Sequence, residues 1–164
     1  MICALNIREA YQDDFHRIHR FMELVNDEFF PPLDKREKSI DKRIQQTILN
    51  TNSAYLIAES ETENNFCFIA GLIGFEKYWK SEDDAYINFL AVHPEYRGMG
   101  LSSKLEKQLE LKLKQDGILY INVCTWSTNK PVLNFYEKMN YRINSVLKND
   151  RGNGIDTIYY YKCL

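Results

Sequence analysis

The sequence predicts an α/β (α+β) fold: a mixed central sheet of about seven strands, antiparallel in its N-terminal part, flanked by about four helices. Three observations carry this. Apolar stretches at Ala54–Ala58, Cys67–Trp79 and Ala85–Val92 are joined by short polar turns, which gives antiparallel pairing. A strand, a glycine turn, a leucine-rich helix and another strand then follow between Ala85 and Cys124, and such a crossover sets two strands parallel. The complete order reads strand, two helices, three strands, helix, strand, helix, two strands.

Each element has a local cause. Leu5–Ala10 alternates and reads as the first strand. Asp13 or Asp14 can cap a helix whose apolar face is Phe15, Ile18, Phe21, Met22 and Val25. His16 and His19 lie three apart on it, but no third ligand accompanies them, so a solvated or half-buried pair is the better reading than a metal site. Pro31 and Pro32 forbid helical continuation. The aromatic loop around them, with Phe29 and Phe30, either shapes a pocket or packs into the core. A second helix spans Ser39–Asn50 with Ile40, Ile44 and Ile48 on one face. Glu59–Asn65 and Lys80–Asp84 are polar turns. Leu101, Leu105, Leu109 and Leu113 recur every four residues, and Asp116-Gly117 stops that helix in a left-handed cap. Glu110 and Lys114 are placed on its solvated face. Tyr120–Cys124 is the next strand. Asn129 caps a helix that has Pro131 in its first turn and ends at Asn140. Tyr141–Leu147 and Thr157–Leu164 are the last two strands, around a Gly- and Asn-rich turn.

At 164 residues the chain is one domain's worth. Its composition, 45% hydrophobic and 27% charged, is that of an ordinary soluble globular protein. A net charge of −2 with no basic block argues against general nucleic-acid binding. The N-terminus lacks a basic leader and no apolar run approaches a membrane span. Cys3, Cys67, Cys124 and Cys163 are far apart, without zinc or disulfide spacing. A reducing cytoplasm is the expected home, with no membrane association.

Functional information concentrates in Val92–Leu105. A strand that turns through Gly98 and Gly100 into a helix leaves the first helical N–H groups pointing outward, a ready site for a phosphate. A P-loop needs a Ser or Thr after its Lys, and Lys104 is followed by Leu105. A dinucleotide fingerprint needs a third glycine, and here the position is Ser103. Arg97-x-x-Gly100-x-Ser102, after Leu90-Ala91-Val92-x-Pro94, instead resembles the acetyl-CoA loop of the GNAT superfamily of N-acetyltransferases, Gln/Arg-x-x-Gly-x-Gly/Ala. Ser102 departs from that pattern but stays small. A second stretch, Asn129-x-x-Val132-x-x-Phe135-Tyr136-Glu137-Lys138-Met139-Asn140-Tyr141, resembles the family's later segment, with Asn140 where the family has Gly. The element order matches the GNAT fold along the whole chain.

The resemblance implies a single acetyltransferase domain over residues 1–164, and acetyl-CoA as acetyl donor. It implies cofactor contacts from Leu90, Ala91 and Val92, from the loop Arg97, Gly98, Met99, Gly100, Leu101, Ser102 and Ser103, and from Asn129. It makes Tyr136 the general acid for the leaving thiolate and needs no metal. It also implies a bulge in the central strand near Leu90–Val92, where that strand splays from its neighbour. The expected reaction is direct acetyl transfer to a primary amine in a ternary complex. A small-molecule acceptor is preferred, with a protein N-terminus or Lys, or a non-catalytic acyl-CoA sensor, as alternatives. A homodimer is left open.

Two expectations concern the acceptor. A primary amine of pKa about 10.4 is only about one part in a thousand neutral at pH 7, so a base is needed. Many relatives carry a carboxylate at the position of Asn88. If Trp79 faces Ala85, Glu76 opposes Asn88 and takes that role as general base, with Tyr86 in reserve. Asp27, Glu28 and Asp34 are expected to attract a cationic acceptor between their loop and the Lys148–Ile155 turn.

Overall fold

The computed structural model describes residues 5–61 and 67–164. Cys3 and most of the turn expected at Glu59–Asn65 lie outside them. Seven strands form one mixed sheet in the order β1-β2-β3-β4-β5-β7-β6. They are β1 (Leu5–Glu9), β2 (Ser53–Glu61), β3 (Cys67–Lys77), β4 (Asp84–Val92), β5 (Tyr120–Trp126), β6 (Arg142–Leu147) and β7 (Thr157–Cys163). Four α-helices flank the sheet: α1 (Phe15–Leu24), α2 (Ile40–Leu49), α3 (Leu101–Gln115) and α4 (Lys130–Lys138). Among the described residues only β4 and β5 pair in parallel, because α3 carries the chain across between them.

The helices divide between the two faces. One core lies under α3 and α4 and is built from Ile73, Phe75, Ile87, Leu105, Leu109, Val123 and Tyr136 among others. The other lies under α1 and α2, with Ile18, Met22, Ile44, Tyr55, Leu72 and Phe89. Both faces of β3 and β4 are therefore apolar, which is why these strands read as nearly continuous hydrophobic runs.

Several local expectations are corrected. Ser39 caps α2 by accepting from the Lys42 N–H. Asp14, by contrast, makes no side-chain cap to α1. Its buried carboxylate accepts from Arg8, Arg17 and the Tyr11 N–H, and these bonds, the Arg8 one above all, hold it below the usual carboxylate range. Asn129 likewise does not cap α4 through its side chain. Its Nδ2 donates instead to Thr125 Oγ1 at 3.2 Å, tying the start of α4 to the end of β5.

Glu110 is not simply solvated. It is ion-paired with Lys162, which also lies 3.4 Å from Glu106. Glu106 is fully buried, accepts from the Tyr141 hydroxyl at 2.9 Å, and has one carboxylate oxygen without a partner. Burial first, and Glu110 beside it, push the Glu106 carboxyl up to about 7 from its usual 4.5. A carboxyl raised on folding contributes stability in full below its unfolded value and loses it as pH rises through the folded one. Stability is thus expected to fall by about 1–3 kcal/mol between about pH 5 and pH 8 on this account. Glu106→Gln should flatten that fall, as read by melting temperature against pH.

Candidate active site

β4 and β5 stay in register only over Asp84–Ile87 against Tyr120–Val123. Beyond this, β4 is held by β3 as far as Val92 against Gly71, and β5 by β7 as far as Trp126 against Thr157. The two strands open into a fork. Backbone groups of Asn88–Val92 that face β5 lack a strand partner there, and such groups call for a substitute. A cavity of about 700 Å³ occupies the fork. It runs through the sheet, with Val132 and Tyr136 from the α4 side and Phe29 and Arg36 from the α1–α2 side.

The bulge that re-aims β4 lies at Asn88, two residues ahead of Leu90. Phe75 pairs with Ile87 and Gly74 with Phe89, so Asn88 is the extra residue. The insertion turns Phe89 to the opposite face from Ile87, where it stacks on Phe29 at 5.1 Å. Gly74 makes room for this. A Cβ there would sit 2.5 Å from Asn88 Oδ1 and 2.7 Å from the Tyr55 ring.

At the mouth of the fork the chain turns through Gly98 and Gly100, with φ of +74° and +73°. An added Cβ would meet nothing within 4 Å at either, so the demand for glycine is conformational and the backbone is open to approach. Gly100 precedes α3, and no side chain caps the first turn. Its N–H groups remain available to an anion. Ser102 lines the cavity. The Leu101 side chain belongs to the core and Met99 points to solvent, so these two can serve a ligand only through their backbone or an outer surface. The Arg97 guanidinium donates back to the Val92 carbonyl at 3.0 and 3.1 Å and pairs with Glu28 at 2.5 Å.

Leu90, Ala91, Val92, Arg97, Ser102, Asn129 and Tyr136 thus come together around one cavity. Tyr136 is 3% exposed and its ring packs against Phe135, Tyr141 and Tyr160 at 5.1–5.7 Å. Burial, then the neighbouring Cys124 and Glu106, raises its phenol well above the ordinary tyrosine value. Cys124 Sγ in turn lies 3.1 Å from the Tyr86 hydroxyl and 3.5 Å from Arg151 Nη2. Burial and Cys124 raise the Tyr86 phenol as well, which disfavours it as a base at neutral pH.

One sequence expectation, the register of β3 against β4, fails here. Lys77, not Trp79, opposes Ala85, and Glu76 opposes Tyr86 rather than Asn88. Tyr78 is left-handed, and both it and Trp79 donate to the Asp84 carbonyl, so the turn takes two more residues than expected. Glu76 does not line the cavity. Of the acidic loop, Glu28 lines the cavity and pairs with Arg97, whereas Asp27 and Asp34 accept from Asn26 and do not line it. Sequence reading missed Arg36 and Arg151. They stand 115 positions apart in two irregular loops, and no local pattern links them. Among the described residues no group of three His, Cys, Asp or Glu is arranged to hold a metal, and no helix is long and apolar enough to cross a membrane.

A mixed sheet that opens at its parallel pair, beside an uncapped helix start, sets a free strand edge next to a site for an anion. The model of the acetyltransferase (GNAT) family matches residues 18–141, and the chain belongs to that family of enzymes. It is 27% identical over 143 residues to an acetyltransferase of Yersinia pestis (strain Pestoides F), covering 87% of this chain and 92% of that one. Solved structures share the fold. An acetyltransferase of the GNAT family from Staphylococcus aureus superposes with a TM-score of 0.76 at 20% identity, covering 98% of this chain and 99% of that one. An aminoglycoside 6'-N-acetyltransferase complexed with coenzyme A superposes with a TM-score of 0.75 at 17% identity, covering 96% of each.

Proposed function

We propose that this enzyme transfers the acetyl group of acetyl-CoA to the primary amine of a small molecule by direct attack in a ternary complex. The observation that carries it is the fork between β4 and β5, whose free β4 edge lies beside the glycine turn and above a buried tyrosine. Acetyl-CoA fits these residues as the acetyl donor, a thioester open to attack by an amine. Backbone groups of Leu90, Ala91 and Val92 take the place of a strand partner for its amide-bearing arm. The N–H groups of Gly98–Ser103 receive its pyrophosphate. Asn129, with one Nδ2 hydrogen donated to Thr125, keeps Oδ1 for a donor on the ligand. A β4 N–H at the bulge stabilises developing negative charge on the carbonyl oxygen. Tyr136 holds the proton for the departing sulfur at its hydroxyl. Its phenol is raised by burial, and the same dry surroundings raise a thiol, so the two stay comparable.

Purified enzyme given acetyl-CoA and a panel of amines should release free CoA with intersecting initial-rate lines. Parallel lines together with acetylated Cys124 in the mass spectrum would replace direct attack by a covalent route. CoA binding with no release for any amine would make the protein a sensor.

A further inference from the structure

The acceptor end of the cleft carries the wrong charge for a polycation. Arg36 and Arg151 line the main cavity and also a second, adjoining one of about 560 Å³. Cys124 lines both as well. Among the described residues neither arginine has a carboxylate within 4.0 Å, whereas Arg8, Arg17, Lys77 and Lys162 are each ion-paired. Arg36 donates through Nε only to the Pro31 carbonyl and lies over the Phe29 ring at 5.5 Å. Arg151 donates to Thr157 Oγ1 and the Phe30 carbonyl and lies over the Trp126 ring at 5.3 Å. Aromatic faces and carbonyls thus hold both guanidiniums in place. A third arginine, Arg43, adds positive charge and has a buried Nε without a partner. Burial first, then Arg43 and Arg151, lower the Arg36 guanidinium to about 10, as a cluster short of negative charge requires. The acids nearby, Glu37 and Asp150, are exposed at the outer cavity's rim, and Asp150 is engaged by Thr157.

From this geometry we propose that the acetylated substrate is a small amine that also carries a carboxylate, with Arg36 and Arg151 binding that carboxylate and selecting the acceptor. The proposal rests on the acetyl-transfer reading of the same cleft. Planar guanidinium forks match a carboxylate's two oxygens, and a partly dry site strengthens the pairing. Arg151 and Tyr136 both neighbour Cys124, which sets the bound anion close to the reacting centre. The amine and carboxylate are therefore separated by a few bonds, as in an amino acid.

The test compares amino acids with their carboxamides and with polyamines, by free CoA release and by calorimetry with a CoA-loaded enzyme. Amino acids should be acetylated with KM at least about 10-fold below that of the matching carboxamides, in keeping with one charge-assisted pair. Arg36→Gln and Arg151→Gln should each raise KM for the amino acid about 10- to 100-fold, while leaving KM for the carboxamide and for acetyl-CoA within about 3-fold. Arg151→Lys keeps the charge without the fork and should fall between, and an unchanged melting temperature secures the folded state of each variant. Polyamines preferred over amino acids, or variants with unchanged discrimination, would overturn the proposal while leaving acetyl transfer standing. No acetylation of any amine would instead remove the reading beneath it, and calorimetric binding of amino acids lost in Arg36→Gln would then still support the arginine pair as their site.

Discussion

Tyr136→Phe is expected to lower kcat by about 10²–10⁴-fold, the span usual for general acid catalysis, with KM for acetyl-CoA changed by less than about 3-fold. The change removes one oxygen and leaves the ring, which Phe135, Tyr141 and Tyr160 grip from three directions. Stability and cofactor affinity should therefore hold while turnover falls. A distinctive readout lies in the leaving group. Without the hydroxyl the thiolate must depart unprotonated, so donors whose thiols are more acidic should recover more rate in the variant than in the native enzyme. The raised phenol keeps Tyr136 protonated throughout the working range, so no basic limb in kcat near pH 10 should belong to it. Native-like turnover in Tyr136→Phe would reduce the residue to a packing role.

The glycine turn, the leucine helix behind it and the order of elements were legible because each is local. Four leucines at a period of four can only face one way, and two left-handed glycines before them mark where the helix starts. Pairing register was not legible. β3 and β4 are apolar on both faces, so alternation does not say which side a residue takes. A left-handed Tyr78 lengthened the turn, and a single extra residue at Asn88 reversed the face of Phe89. Together they moved Glu76 out of the site that counting had given it. Charge placement was no more legible. Asp27, Glu28 and Asp34 form an acidic run in sequence, yet of the three only Glu28 lines the cavity, paired with Arg97. The arginines that do face the cleft arrive from opposite ends of the chain. What the sequence could show of Arg36 and Arg151 was two ordinary basic residues in polar loops.

Gly100→Asp should abolish measurable CoA binding, a loss of at least about 100-fold in affinity, for two reasons that add. The residue sits at φ +73°, where any side chain costs about 1 kcal/mol or more of strain. The carboxylate would then stand at the first turn of α3, where the pyrophosphate is to bind, and would repel its phosphates. Open space around the Cβ leaves the core beneath Leu101 and Leu105 untouched, so α3 itself should not unravel. Gly100→Ala separates the two contributions, since it carries the backbone strain without the charge and should weaken CoA by only about 10-fold. Calorimetry on both variants, with circular dichroism to verify the helix, decides it. Equal affinities for Ala and Asp would mean that the phosphates bind elsewhere than at the start of α3.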